Sequence, residues 1–587
     1  MPGRGFRVEA RLPLNLRFAF ICAVLFVPVN SLLATSCSMV QPHEPDKAER
    51  AFLAADYAGA VDLYRTKLAS HPGDSELTAG LVRSLLHQQK VQEAADAVKA
   101  SLAVAPNSAA LISLRGEVEY RQGTPWLSAR TAIESEKLDP CYPRNHLLVA
   151  DLERLNSMYA SSRKEIDVAH KLDPFDPDIR AEWIHTLSLK QRIAEAESFL
   201  SVMNGNDEED LRHWKLYLEH LKKREAEPHK ACHLVSSVAA TEIPFMNIMR
   251  DATHIGAFGL DVKLNGHTGR LQIDTGANGL LVSRSVAKHA GLKAFSQSEV
   301  DGVGDEGYKP GYTAYADSIR IGNLEFQDCT VEVLDSRSSI GDSDGLIGMD
   351  VLSHFLVTLD YPKRKLLLGP LPPRPGEAAS VAALKTSDAE RDDSEDSAQA
   401  SKQTERDKTI AGEMESGSAA VVATTAKQDA APKKPVSHGP YDRYIAPEMK
   451  DYTPVYRVGH TLILPASLNG NKPKLFILDT GSWTTTISPQ AAREVTKVHS
   501  EDDIHMEGLN GKVEKVYSAD EVTFRFANLS QKVYGVASFD TSRISKSVDM
   551  EISGLLGATT LNLLTIHIDY RDGLVKFDYD PKRGYSF

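Results

Sequence analysis

The stretch RLQIDTGANGLLVS, residues 270–283, decides how the rest of the chain is read. Apolar residues lead into Asp274-Thr275-Gly276 and more follow, so a carboxylate stands at the end of a strand that reads as buried. An isolated carboxylate in such a place is costly. The arrangement returns 205 residues later (479 − 274), in KLFILDTGSWTTTIS, around Asp479-Thr480-Gly481.

The surroundings recur with it. L-N-G at 264–266 precedes the first D-T-G, and L-N-G at 468–470 precedes the second. GLIG (345–348) and GLLG (554–557) follow 71 and 75 residues after the aspartates. Fifteen residues on from the first glycine of each, VTLDY and IHIDY carry Asp360 and Asp569, and each copy closes with a turn and an apolar strand, PKRKLLL or RDGLVKF. Short alternating strands separated by glycine turns are an all-β pattern. The spacing therefore predicts one β-domain present twice, as copy A over 254–371 and copy B over 455–582.

At roughly 5–7% usage per residue, a lone D-T-G would occur by chance in about a tenth of chains this long. Two, each set between an L-N-G hairpin and a G-L-[IL]-G element at matched distances, resemble the aspartic peptidases, and specifically the retropepsin-like domain. The resemblance implies an aspartic endopeptidase with Asp274 and Asp479 as catalytic residues and no cofactor or metal. Two facing carboxylates share one proton, since both cannot ionise at close range. The ionised member takes a proton from water, and the protonated member hydrogen-bonds the carbonyl oxygen under attack. Gly276 and Gly481 allow close backbone approach behind each carboxylate. Thr275 and Thr480, by the resemblance, bond across to the opposite loop. It also places flaps at DGVGDEGYKPG (301–311), with Gly302 and Gly304, and at EGLNGKVEKVY (507–517), with Gly508. Pairing of the copies within one chain or between two chains is open at this stage.

The front of the chain has a different rhythm. Pro72, Pro106, Pro140 and Pro174 fall 34 residues apart, and Ala60, Ala94, Ser128 and Ser162 stand twelve residues before them, with Ala196 continuing the series. A small residue where two helices cross, and a proline where the second must end, resemble the tetratricopeptide repeat. Gly116 and Tyr64 also fit. The expected fold is thus multidomain: an all-α solenoid over 41–230, ending in a helix around 208–227, followed by two all-β acid-protease barrels. Such repeats stack to bury their apolar faces and offer a concave surface to protein partners or peptides.

Arg4, Arg7, Arg11 and Arg17 precede an apolar run from Phe18 to Leu33 and the small residues LLATSCS. This is the order of an export signal over 1–37, and the run is short for a membrane span. Cys37 resembles the lipid-modified cysteine of bacterial lipoproteins, although Ala34 stands where that motif usually has leucine. The expectation is an exported protein: periplasmic, secreted, or membrane-anchored through a lipidated Cys37. Cys22, Cys37, Cys141, Cys232 and Cys329 are widely spaced, with no C-x-x-C, so neither a disulfide framework nor a zinc site is legible and small buried hydrophobe is the expected role. Residues 373–450, rich in Ala, Ser, Asp, Glu and Lys, read as a disordered linker whose span of about 45–50 Å permits intrachain pairing.

A net charge of −13 with no basic face gives no support for nucleic-acid binding. GDSDG (341–345) matches G-x-S-x-G around Ser343 but lacks the helix a nucleophile elbow needs, and its likeness to a calcium loop fails on length. It reads as a turn. The competing function is a catalytically silent peptide-binding or scaffold protein that acts through its repeats.

Overall fold

The computed structural model describes residues 37–202, 208–238, 240–249, 255–335, 343–375, 441–500 and 506–580. The expected export segment up to residue 36 and linker residues 376–440 lie outside them.

Antiparallel helix pairs fill the front half, from Lys47–Leu53 to the long last helix Glu208–Ala226. Tyr57–Ser70, Val91–Val104, Pro125–Leu138 and Tyr159–Leu172 each stop two residues before one of the spaced prolines. Ala60, Ala94, Ser128 and Ala196 have no exposed surface, and Ser162 has 3%. They sit where paired helices cross. Ser128 Oγ donates to the carbonyl of Gly116 at 2.8 Å across one such crossing.

The β-region starts at His233–Leu234, ahead of the expected domain boundary, and among the described residues builds three large sheets and one two-stranded ribbon, Glu507–Gly508 with Gly511–Lys512. In copy A, Gly345–Gly348 runs parallel to His267–Asp274, with Gly348 opposite Asp274. In copy B, Gly554–Leu556 runs parallel to Pro473–Leu478 in the same way. Each G-L-[IL]-G is therefore a strand beside the one that delivers the carboxylate. The L-N-G of copy A is a two-residue hairpin turn between Leu264 and His267, with Asn265 at φ +47° and Gly266 at φ +87°. Only residues tolerant of positive φ form this turn, and Asn-Gly is its preferred pair.

The third sheet joins the copies. Phe355–Asp360 of copy A pairs antiparallel with Leu564–Asp569 of copy B, placing Val357 opposite Ile568 and Leu359 opposite Ile566. Their inward side chains belong to one apolar core that runs through both β-domains, with Val357, Leu359, Ile566 and Ile568 fully buried. Each such side chain contributes about 1.5–3 kcal/mol on burial. The copies therefore pair within one chain.

The repeats are fastened to both. The last helix lies on strand Lys293–Val300 of copy A, where His220 Nδ1 meets Ser296 Oγ at 2.9 Å and Arg212 pairs with Glu299 at 2.7 Å. Arg121 pairs with Asp549 of copy B at 2.8 Å, and its carbonyl accepts from the Glu551 N–H at 2.9 Å. Both described ends of the 373–450 stretch are packed at one point. The fully buried Asp572 accepts from Arg374 at 2.5 Å and from the Tyr444 N–H at 2.8 Å.

The cysteines differ from expectation. Cys37 is bonded to Cys141, and Cys232 to Cys329, across 104 and 97 residues. Separations of that size leave no local spacing pattern, because the partners meet only through tertiary structure. The Cys37 sulfur, for which lipid attachment is one of the expected alternatives, is occupied by this bond. Among the described residues no helix is long and apolar enough to cross a membrane.

Candidate active site

The two D-T-G loops meet at the junction of the copies, each projecting from the end of a buried strand. Thr275 Oγ1 accepts the Thr480 N–H at 3.0 Å, and Thr480 Oγ1 accepts the Thr275 N–H at 3.0 Å. The same hydroxyls donate to the carbonyls of Leu478 at 2.6 Å and Ile273 at 3.3 Å. Four crossed bonds among buried groups lock the loops in one relative position. A buried hydrogen bond of this kind contributes about 0.5–1.5 kcal/mol, and leaving a partner unsatisfied costs more.

This lock brings Asp274 and Asp479 face to face, with their carboxyl groups in hydrogen-bonding contact. A Cβ on residue 481 would lie 2.3 Å from Asp274 Cγ, so only glycine fits there. Asp274 Oδ1 accepts from the Gly276 N–H at 2.8 Å, and Asp479 Oδ1 from the Ser482 N–H at 3.0 Å. Burial first, then the charge of Asp479, pushes Asp274 up to about 8. Burial also raises Asp479, opposed by hydrogen bonds from the Ser482 and Gly481 N–H groups and from Asp274 itself. One proton is thus shared between the two. Such a pair presents a base and an acid a hydrogen bond apart.

Beneath each loop the support differs. In copy B, hydroxyls of the same copy hold it: Thr485 Oγ1 meets Thr560 Oγ1 at 2.5 Å, and the Thr485 N–H donates to Thr559 Oγ1 at 3.2 Å. In copy A, Asp350 replaces them and accepts from the Gly279 N–H at 3.0 Å.

The candidate flap glycines come together. Gly302 lies against Leu509, Gly304 against the backbone of Asn510, and Gly508 against Val303. The Asn510 N–H donates to the Val303 carbonyl and the Glu306 N–H to the Asn510 carbonyl, both at 2.9 Å. Leu509 and Ala277, the residue after the first D-T-G, both pack against a small apolar cluster of Leu281, Val300, Leu334 and Leu346. The two hairpin tips therefore meet beside the carboxylates. Arg543 of copy B clamps them, donating to Asp301 at 2.6 Å and to the Gly304 carbonyl at 3.2 Å. Ser343, the centre of G-x-S-x-G, donates to the Arg270 carbonyl at 3.1 Å within a turn.

Sequence reasoning passed over Asp301, Asn510, Arg543, Asp350, Gln272 and His460. The one difference visible at Gln272 is that the aligned position of copy B is Ile477.

The aspartyl protease family profile matches the chain twice, over residues 260–351 and 464–560, and a tetratricopeptide repeat profile matches 51–118. One similar solved structure is a thermophilic tetratricopeptide-repeat protein of Thermus thermophilus, at 21% identity and TM-score 0.24, covering 29% of this chain and 93% of that one. Another is a retropepsin-like aspartic protease from Rickettsia conorii, at 20% identity and TM-score 0.17, covering 23% of this chain and 92% of that one. No curated protein matches the chain. The chain resembles retropepsin-like aspartyl proteases in its two β-domains and tetratricopeptide-repeat proteins in its helices.

Proposed function

We propose that the chain is an exported aspartic endopeptidase whose single active site is assembled from both β-domains, with the helical repeats engaging a protein partner or substrate. The observation that carries this reading is the contact between Asp274 and Asp479 under the crossed Thr275–Thr480 bonds. A water held between the carboxyls loses a proton to Asp479 as its oxygen attacks the peptide carbonyl. Asp274 gives its proton to the developing oxyanion, so the charge never stands unpaired in a buried site. Asp479 then passes its proton to the departing amine while a hydroxyl of the tetrahedral diol returns one to Asp274, so the C–N bond breaks and the dyad is left singly protonated. No covalent intermediate is needed.

Export is supported by the basic and apolar N-terminal sequence and by the two disulfides, which persist in oxidising compartments. A sulfur bonded to Cys141 cannot also carry a thioether lipid, so the reading is a periplasmic or secreted chain without lipid at Cys37.

The test is cleavage of a mixed peptide library by the full chain, by Asp274→Asn and by Asp479→Asn. Loss of about 10²–10⁴-fold or more in each single variant is expected. A mixture of the two variants should stay inactive, since neither can build a site from one good half. A folded wild type that cleaves nothing would leave the peptide-binding scaffold as the better reading.

A further inference from the structure

Each catalytic-loop glycine carbonyl accepts a side-chain hydrogen bond from the opposite β-domain. Gln272 Nε2 of copy A donates to the Gly481 carbonyl at 2.9 Å. His460 Nε2 of copy B lies 3.1 Å from the Gly276 carbonyl. A carbonyl only accepts, so this contact puts the imidazole proton on Nε2.

The other side of each of those peptide units faces a carboxylate. The unit that carries the Gly481 carbonyl carries the Ser482 N–H, which donates to Asp479 Oδ1 at 3.0 Å. The unit that carries the Gly276 carbonyl carries the Ala277 N–H, which donates to the Asp274 main-chain carbonyl at 3.3 Å and lies close enough to the Asp274 carboxyl to favour its ionised form. A peptide unit is planar, so fixing its oxygen fixes the direction of its N–H. A donor on the oxygen also polarises the unit and strengthens the N–H as a donor.

The two donors do not descend from one ancestral position. Copy B has Ile477 where copy A has Gln272, and His460 follows Gly459 in the turn between Tyr456–Val458 and Thr461–Leu468. That turn is anchored: Arg457 Nε donates to the Gly459 carbonyl at 2.7 Å, and its Nη1 to the Tyr570 carbonyl. The charged groups facing His460 are Asp350 and Arg457; burial lowers the imidazole more than Asp350 raises it, which keeps it neutral near pH 7. Two unrelated side chains thus supply the same bond to the two loops.

We propose that Gln272 and His460 are a reciprocal pair of positioning residues, each lent by one β-domain to orient the peptide whose N–H faces the other domain's catalytic carboxylate. This rests on the reading of Asp274 and Asp479 as the dyad.

The test uses the full chain with Gln272→Leu and His460→Leu, which cannot donate, and Gln272→His and His460→Gln, which can. Steady-state cleavage and titration of ¹³C-labelled aspartate carboxyls are measured on each. Each Leu variant should lose about ten-fold in kcat with KM changed less than about two-fold, and the donor-retaining variants should recover most of it. The carboxyl titration of the Leu variants should move to higher pH, because a weaker N–H donor favours the ionised carboxylate less. An unchanged kcat, or a lower KM at unchanged kcat, would overturn the proposal by showing side chains that merely cover two carbonyls. If the wild type does not cleave, a moved titration sustains the positioning role while the endopeptidase reading fails, and an unmoved one sinks the positioning role as well.

Discussion

Glu209, on the last helix of the repeat array, accepts a hydrogen bond from Tyr308 of the first flap hairpin at 3.0 Å and pairs with Lys546 of copy B at 2.9 Å. One carboxylate thus ties the repeats to a flap and to the short helix Ser542–Ser547 that also carries the clamping Arg543. Arg543 stacks over the same Tyr308 ring, 5.1 Å from its centroid.

Glu209→Ala should therefore loosen the first flap without unfolding the chain. The pair is substantially exposed, with 37% and 52% of the two side chains accessible, so the effect is modest. Amide exchange over residues 301–308 is expected to rise about two- to five-fold, while exchange in Phe355–Asp360 stays as it was. Unchanged exchange at the flap would mean that Arg543, Asp301 and Asn510 hold it unaided.

What the sequence made legible was local chemistry repeated at matched distances. D-T-G and G-L-[IL]-G are short, carry backbone constraints of their own, and occur in both copies, so the duplicated β-domain followed from pattern. The 34-residue proline period worked for the same reason. Contacts between copies left no such mark. Gln272 reaches Gly481 across 209 residues, His460 reaches Gly276 across 184, and Arg543 reaches Asp301 across 242. The cystines failed similarly, since pairs 104 and 97 residues apart have no spacing to read. At the linker, Arg374 and Tyr444 sit within an Ala- and Ser-rich stretch whose composition hides that both ends converge on Asp572.

Ile568→Ala tests whether the shared sheet holds the copies together. Ile568 is fully buried and pairs with Val357 of the other copy. Truncation leaves a cavity at the joint and should cost about 2–5 kcal/mol in chemical denaturation. Tyr534→Ala, at a position 50% exposed, is the control and should cost no more than about 0.5 kcal/mol. Equal costs would show that the junction contributes little.

The two cystines predict a redox-sensitive stability. Closing loops near a hundred residues restricts the unfolded chain by about 4–5 kcal/mol each on the chain-entropy account. Reductant should lower the Tm markedly, and Cys232→Ser with Cys329→Ser should reproduce part of that loss without reductant. Mass spectrometry of the mature chain should find Cys37 linked to Cys141 and free of lipid; a diacylglyceryl adduct on Cys37 would refute the bridge.

The dyad sets the pH dependence of both stability and activity. Asp274 sits at an ordinary carboxylate value in the unfolded chain and at about 8 when folded. Between those values the folded state binds the extra proton, so stability falls as pH rises through the window and Asp274→Asn flattens the slope. Activity needs the singly protonated pair. As pH climbs past about 8, Asp274 loses the proton it would give to the oxyanion, and kcat/KM should fall about ten-fold per pH unit. The acidic limb appears only when Asp479 takes up a second proton. Burial raises Asp479 while three hydrogen bonds oppose it, so that limb lies above the position of an ordinary carboxylate. A profile confined to strongly acidic conditions would show that the carboxyls are less shielded from water than their seats in the two loops require.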